Sequence, residues 1–151
     1  MDLVRRNTDY AVRLMVNLAR NYEKGPISTK TAAIEEDVPY QLACKLMQKL
    51  HSAKLVESCM GPKGGFGLSR DPSKINLLEV VETIQGPISI NRCVLGTNIC
   101  PRQESCPVTV KLAKLQDHLC SYLGSITLDV FSPTQRRKRG EKARELKRRK
   151  G

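Results

Sequence analysis

The stretch STKTAAIEEDVPYQLACKLMQKLH, Ser28 to His51, decides the fold. Ser28 offers a hydroxyl to open a short helix holding Thr31, Ala32, Ala33 and Ile34, and Glu35-Glu36-Asp37 marks its end. After Val38-Pro39 a second helix is predicted from about Tyr40 to His51. Its residues Ala43, Leu46, Met47 and Leu50 share one face, and Gln41, Lys45, Gln48 and Lys49 share the other. Two short helices with a tight join form a helix-turn-helix. In that motif the second helix enters the major groove, where amide and basic side chains read base edges while flanking groups hold phosphates.

Working outward, Leu55-Val56-Glu57-Ser58-Cys59-Met60 has strand character, Gly61-Pro62-Lys63-Gly64-Gly65 turns, and Phe66-Gly67-Leu68 returns as the partner strand. The hairpin reads as a wing whose glycines let the backbone approach a duplex. The candidate DNA-binding residues are therefore Ser28, Tyr40, Gln41, Lys45, Lys49, Lys63, Gly64 and Gly65. The alternative is a helical module whose lysines form only a solvated face.

Toward the N-terminus, Thr8 is placed to cap a helix with Ala11, Leu14, Met15, Leu18 and Ala19 inward and Arg13, Asn17 and Arg20 facing away. Toward the C-terminus, Asn76-Leu77-Leu78-Glu79 is a capping-box-like start for a helix carrying Leu78, Val81 and Ile84, stopped by Gly86-Pro87. From Val108 a longer helix presents Leu112, Leu115, Leu119, Tyr122 and Ile126, a stripe that a lone chain would struggle to cover. These five are the candidate dimerisation residues.

The fold class is mainly α with a small β-hairpin wing. Four regions are expected: a winged helix-turn-helix domain over 1–87, a cysteine-containing loop over 88–107, a dimerisation helix with a short following segment over 108–131, and a basic disordered tail over 132–151. Aromatics make up only 4% of the 151 residues and Trp is absent, which suits helices packed through Leu, Val, Ile and Ala. Of the net charge of +11, the segment 133–151 supplies +8, with ten Lys or Arg against Glu141 and Glu145. The remaining +3 does not by itself mark the body as a nucleic-acid binder, so the motif carries that reading.

No apolar run reaches membrane-spanning length, and Met1-Asp2-Leu3-Val4-Arg5-Arg6 leads into a polar segment, so a cytoplasmic protein is expected, without membrane partners. In a reducing compartment the six cysteines read as free thiols, metal ligands or redox groups rather than as a disulfide framework. Cys93, Cys100 and Cys106 lie in a polar stretch punctuated by Gly96-Thr97-Asn98 and Pro101-Arg102-Gln103-Glu104-Ser105. Their spacing is too wide for the C-x2-C knuckles of most structural zinc sites, whereas iron-sulfur ligation tolerates such loops. An iron-sulfur cluster, zinc and thiol-only redox chemistry all stay open at this point. Cys44, Cys59 and Cys120 read as small packed residues, and His118 stands twelve positions beyond Cys106.

Catalysis finds no support. There is no Walker loop, HExxH or nucleophile elbow, and Gly64-Gly65-Phe66-Gly67 lacks the strand-turn-helix setting of a dinucleotide fingerprint, so no catalytic residue is proposed.

Thr8-Asp9-Tyr10-Ala11, the helix-turn-helix, the wing 61–68, the segment 78–87 and the three spaced cysteines together resemble the Rrf-type family of bacterial transcription regulators over residues 1 to about 131. The resemblance implies a homodimer whose two winged helices read palindromic promoter DNA. It also implies an iron-sulfur cluster held by Cys93, Cys100 and Cys106, whose state sets DNA affinity in response to nitric oxide, redox state or cluster status. In IscR-like members a His soon after the third cysteine completes a two-iron cluster, but here Pro107-Val108-Thr109-Val110 follows Cys106. In NsrR-like members an acidic residue of the partner's first helix supplies the fourth ligand to a four-iron cluster, and Asp9 stands at the matching place. The four-iron form is therefore favoured over the two-iron form, with Asp9 of the partner subunit as fourth ligand. Asp9 also suits the first helical turn without any metal, where a carboxylate gains about 0.3–1 kcal/mol from the helix dipole. A regulator sensing by thiol oxidation or through a partner protein, and a nonspecific nucleic-acid binder driven by the tail, are the alternatives.

Truncation after Phe131 is predicted to leave sequence preference intact. It should flatten the slope of log affinity against log salt by about 0.9 for each phosphate that the tail no longer neutralises. Binding titrations at several salt concentrations measure this, and complete loss of DNA binding at moderate salt would assign binding to the tail.

Overall fold

The computed structural model describes residues 3–96 and 100–132, so the expected basic tail lies, beyond Ser132, outside the described residues. Among the described residues six α-helices and one hairpin follow in order: α1 (Arg6–Arg20), α2 (Thr29–Glu35), α3 (Tyr40–Ser52), β1 (Val56–Cys59), β2 (Gly65–Leu68), α4 (Leu77–Gln85), α5 (Arg92–Leu95) and α6 (Pro107–Ser125). The strands pair antiparallel, with Val56 opposite Leu68 and Cys59 opposite Gly65. The mainly helical winged architecture expected from the sequence is the one observed. No helix of the described residues is long and apolar enough to cross a membrane.

α1 lies at the centre and packs against α2, α3, α4, β2 and a short 3-10 turn at Leu128–Phe131. Leu14, Met15, Met47, Leu50, Val56, Ile75, Val80 and Leu128 are withdrawn from water. Each such side chain contributes about 1.5–3 kcal/mol relative to exposure. On α3 the inward set Ala43, Leu46, Met47 and Leu50 is buried as its spacing predicts. On α4 Val80 and Val81 are buried while Leu78 and Ile84 are only half covered.

Two details of α1 correct the sequence reading. Thr8 does not cap it: the helix begins at Arg6 after Arg5, and Thr8 lies fully buried in the first turn, its hydroxyl donating to Gln85 Oε1 at 2.7 Å. Asn17 does not face away. It is 3% exposed, and its Nδ2 donates to Glu35 Oε2 at 2.8 Å and Glu36 Oε1 at 3.0 Å. Arg13 also turns toward α2, donating to the Glu36 carbonyl, and Arg20 lies 3.6 Å from Glu36 Oε1. A short apolar helix with acidic residues at its end draws the polar side chains of α1 inward, which periodicity on α1 alone does not reveal.

Both helices of the helix-turn-helix end in the same device. The Val38 amide reaches the Ala33 carbonyl and the Asp37 amide reaches that of Ile34; Leu55 and Lys54 repeat the pattern on Leu50 and His51. These are Schellman motifs, in which the residue after the cap is left-handed and the next one packs inward. Asp37 (φ 53°) and Lys54 (φ 60°) fill the left-handed position, and Val38 and Leu55 are buried. Glycine is the usual sequence mark of such a stop, and neither position carries it. The α4 start matches expectation: Asn76 Oδ1 accepts from the Glu79 amide while Glu79 Oε2 accepts from the Asn76 amide, and Gly86 (φ 84°) stops the helix.

α6 spans the predicted region and packs against α4 and α5. Of its proposed stripe, Leu115 is 55% and Tyr122 66% exposed, while Leu112 and Leu119 are half-buried. Ile126 is not part of the helical face. It is the extended C-cap, and its carbonyl accepts from the Leu77 amide at 2.9 Å. Thr127 bridges Asn76, and the Leu128 amide reaches the Ile75 carbonyl, so the chain returns to the winged head and buries Leu128 there.

Lys54→Gly is expected to stabilise the protein by about 0.5–1 kcal/mol, because glycine adopts the left-handed conformation without a Cβ penalty. Denaturant unfolding of the two proteins measures the difference, and an unchanged or lower midpoint would contradict it.

Candidate functional site

The outer face of α3 carries Tyr40, Gln41, Lys45, Gln48 and Lys49, all exposed, on a helix whose opposite face is fixed in the core. The Cys44 thiol faces the Tyr40 hydroxyl as a hydrogen-bond partner, and this contact, with the thiolate's charge and slight burial, raises the phenol's pKa. Ser28 caps α2, its Oγ accepting from the Thr31 amide at 3.0 Å. Lys30 and Thr31, on the first turn of α2 and absent from the sequence-based candidates, are exposed beside it. The N-terminus of a short capped helix was there to be read as a phosphate-facing element.

Lys63 is exposed on the wing. Gly64 and Gly65 have a reason within the fold. A Cβ on Gly64 would lie 2.4 Å from the Cys59 carbonyl oxygen, and one on Gly65 would lie 2.1 Å from that of Ile27. Phe66 and Ile27 exchange backbone bonds of 2.8 and 2.9 Å, which ties the wing to the segment entering α2. These glycines are required for that close approach whether or not the wing meets a duplex.

Cys93 lies in α5, Cys100 opens the following turn and Cys106 is the N-cap of α6; all three are half-buried free thiols, as are Cys44, Cys59 and Cys120. Gln103 Nε2 donates to the Cys93 carbonyl at 2.7 Å and to that of Gly96, which folds the segment on itself, and the Ile90 amide donates to Gln116 Oε1 at 3.2 Å, which ties it to α6. Residues 97–99 lie outside the described residues. Among the described residues no three His, Cys, Asp or Glu side chains converge as a metal site. Three soft sulfurs outside the apolar core suit an iron-sulfur cluster or zinc as a donor set, but they are not drawn together in this conformation. Asp9 is exposed on the first turn of α1, 4.0 Å from Arg13, and His118 is exposed on α6.

The thiols differ chemically. The Thr109 amide and hydroxyl, then the Val108 amide, face the Cys106 sulfur at the start of α6 without closing a capping bond of good geometry, and they lower its pKa. Burial, then the charges of Glu82 and Asp117, raise that of Cys120.

A basic helix held at the surface by a three-helix core, with a hairpin wing beside it, defines a winged-helix transcriptional regulator. The chain belongs to the Rrf2 family, described as iron-dependent transcriptional regulators, whose model matches residues 4–133. It is 30% identical over 119 residues to the HTH-type transcriptional regulator IscR of Escherichia coli, covering 79% of this chain and 73% of that one. Among solved structures it is similar to T. potens IscR, with 26% identity, a TM-score of 0.67 and 84% of each chain covered. It shares its fold with CymR, the global cysteine regulator of B. subtilis, at 24% identity and a TM-score of 0.73, covering 87% of this chain and 97% of that one. These relatives are named as regulators.

In metal-free protein, alkylation of Cys106 is predicted to have a lower pH midpoint than that of Cys120, because the thiolate is the nucleophile and is stabilised at Cys106 but disfavoured at Cys120. Thr109→Val should move the Cys106 midpoint upward. Rates of iodoacetamide labelling against pH, read by peptide mass spectrometry, decide it; coincident midpoints would contradict it.

Proposed function

We propose that this protein is a cytoplasmic DNA-binding regulator, acting as a homodimeric repressor on palindromic promoter DNA. In this reading its affinity is set by an iron-sulfur cluster held by Cys93, Cys100 and Cys106, with Asp9 of the partner subunit as fourth ligand to a four-iron centre. The signal is nitric oxide, oxidation or loss of the cluster. The observation that carries this reading is the placement of three free, half-buried thiols on one segment between α4 and α6, outside the core. Cysteines kept for packing would sit on apolar faces, and these do not.

For DNA, the reading assigns base contacts to Tyr40, Gln41 and Lys45, and phosphate contacts to Ser28, Lys49 and Lys63, with Gly64 and Gly65 shaping the wing. The second protomer covers Leu112, Leu115, Leu119 and Tyr122, and the exposure of Leu115 and Tyr122, with Val108 and Val110, supports that use. A coupling of about 1–3 kcal/mol between cluster state and DNA binding would change affinity about 5- to 150-fold.

A second reading, thiol sensing without a cluster, is favoured by two specific observations. Among the described residues the three sulfurs are not drawn together, and the Thr109 and Val108 groups facing the Cys106 sulfur lower its pKa, the direction that favours the nucleophilic thiolate.

Anaerobic purification with iron and sulfide counting separates the two. The cluster reading expects a brown protein whose charge-transfer absorption is lost in Cys93→Ala, Cys100→Ala and Cys106→Ala and altered in Asp9→Ala. It also expects promoter affinity to change on nitric oxide titration. A colourless protein whose DNA binding responds to peroxide through the same cysteines would establish the second reading.

A further inference from the structure

Gln85, the last residue of α4, has its side chain fully engaged by a part of the chain some eighty residues away. Its Oε1 accepts from the Arg5 amide at 3.1 Å and from the Thr8 hydroxyl at 2.7 Å, and its Nε2 donates to the Leu3 carbonyl at 2.9 Å. α1 has no cap of its own, since Arg5 at the N-cap position makes no side-chain bond. Helix N-termini leave amides unpaired, and a neighbouring acceptor normally supplies what is missing. Here the acceptor comes from another helix. Burial does not secure the arm, because Leu3, Val4, Arg5, Arg6 and Asn7 are all exposed.

The other end of this contact matters equally. Directly after Gln85 the chain stops α4 at Gly86, anchors at the buried Ile88, bonds Ile90 to Gln116 and reaches Cys93. One residue therefore ends α4, begins the cysteine segment and completes the N-terminus of α1, three residues before Asp9.

We infer that Gln85 is a positioning residue. It stands in for the missing cap of α1, and it joins the turn bearing Asp9 to the point where the cysteine segment leaves α4, so that a change of state at the cysteines reaches α1 through it. Its second half rests on the proposed sensing by Cys93, Cys100 and Cys106; the clamp itself does not.

Amide hydrogen exchange on the full-length chain tests both halves, using Gln85→Ala and Gln85→Glu. In metal-free protein, Gln85→Ala should speed exchange at Arg5 to Asp9 roughly five-fold, the effect of losing a typical cap, with α3 unchanged. Gln85→Glu, which keeps the acceptor for Arg5 and Thr8 but gives up the donor to Leu3, should keep exchange at Arg5 to Asp9 close to wild type. Loading with ferrous iron and sulfide under anaerobic conditions should then change exchange at residues 3–10 in wild type and Gln85→Glu. In Gln85→Ala that change should vanish while the change at 88–107 persists. Wild-type exchange of the arm in Gln85→Ala, or an arm response to loading equal to that of wild type, would overturn the inference. Failure of every protein to take up iron defeats the cluster reading alone. The comparison is then made between unmodified protein and protein alkylated with N-ethylmaleimide, where the same two outcomes decide.

Discussion

Withdrawal of the α1 face, Ala11, Leu14, Met15, Leu18 and Ala19, from water is the constraint on which the molecule depends. This helix touches both members of the helix-turn-helix, β2 of the wing, α4 and the C-terminal turn, so each finds its place by covering part of it. The apolar contact is non-directional and leaves rotation about the helix axis poorly determined. Orientation is set by polar side chains at its edges, where Asn17, Arg13 and Arg20 meet Glu35 and Glu36, and Thr8 meets Gln85. The Asn17 amide nitrogen and the Thr8 hydroxyl are withdrawn from water with partners in place, so a rotation of α1 that broke those bonds would be penalised. The outward face of α3 is thereby fixed relative to α1, whose two ends contact different parts of the chain.

Much of this was legible from residue spacing. The inward sets of α1 and α3, the capping box at Asn76 and Glu79, the Gly86 stop and the wing turn each rest on a local rule that the fold obeys. What escaped depends on contacts distant in sequence. Asn17 looks like a surface residue until α2 is laid across it, and Thr8 looks like a cap until Gln85 arrives to receive its hydroxyl. Ile126 fits a heptad by number but lies past the helix end, because its carbonyl is claimed by Leu77. Asp37 and Lys54 hide two Schellman stops, since neither side chain announces a left-handed backbone.

The candidate site divides along the same line. Exposure of the α3 face follows from burial of its opposite face, so its outward residues could be named from spacing alone. The cysteines could be named as a group by their polar setting, but their mutual geometry depends on a segment with little apolar content to position it. Amide side chains, Gln103 and Gln116, hold it instead. The buried Ile88 and the packing of α5 on α6 complete its attachment.

The staple at Asn76 and Thr127 fixes one end of α6, and Cys106 stands at the other. Nineteen helical residues make a rod of about 28 Å. With the pivot at Thr127, a swing of about five degrees carries the far tip through about 2.5 Å, the scale of a bond between a metal and its sulfur. The rod thus joins the cysteine at its tip to the winged head at its base through one continuous element, so a small rotation at one end is matched by a displacement of a bond's length at the other.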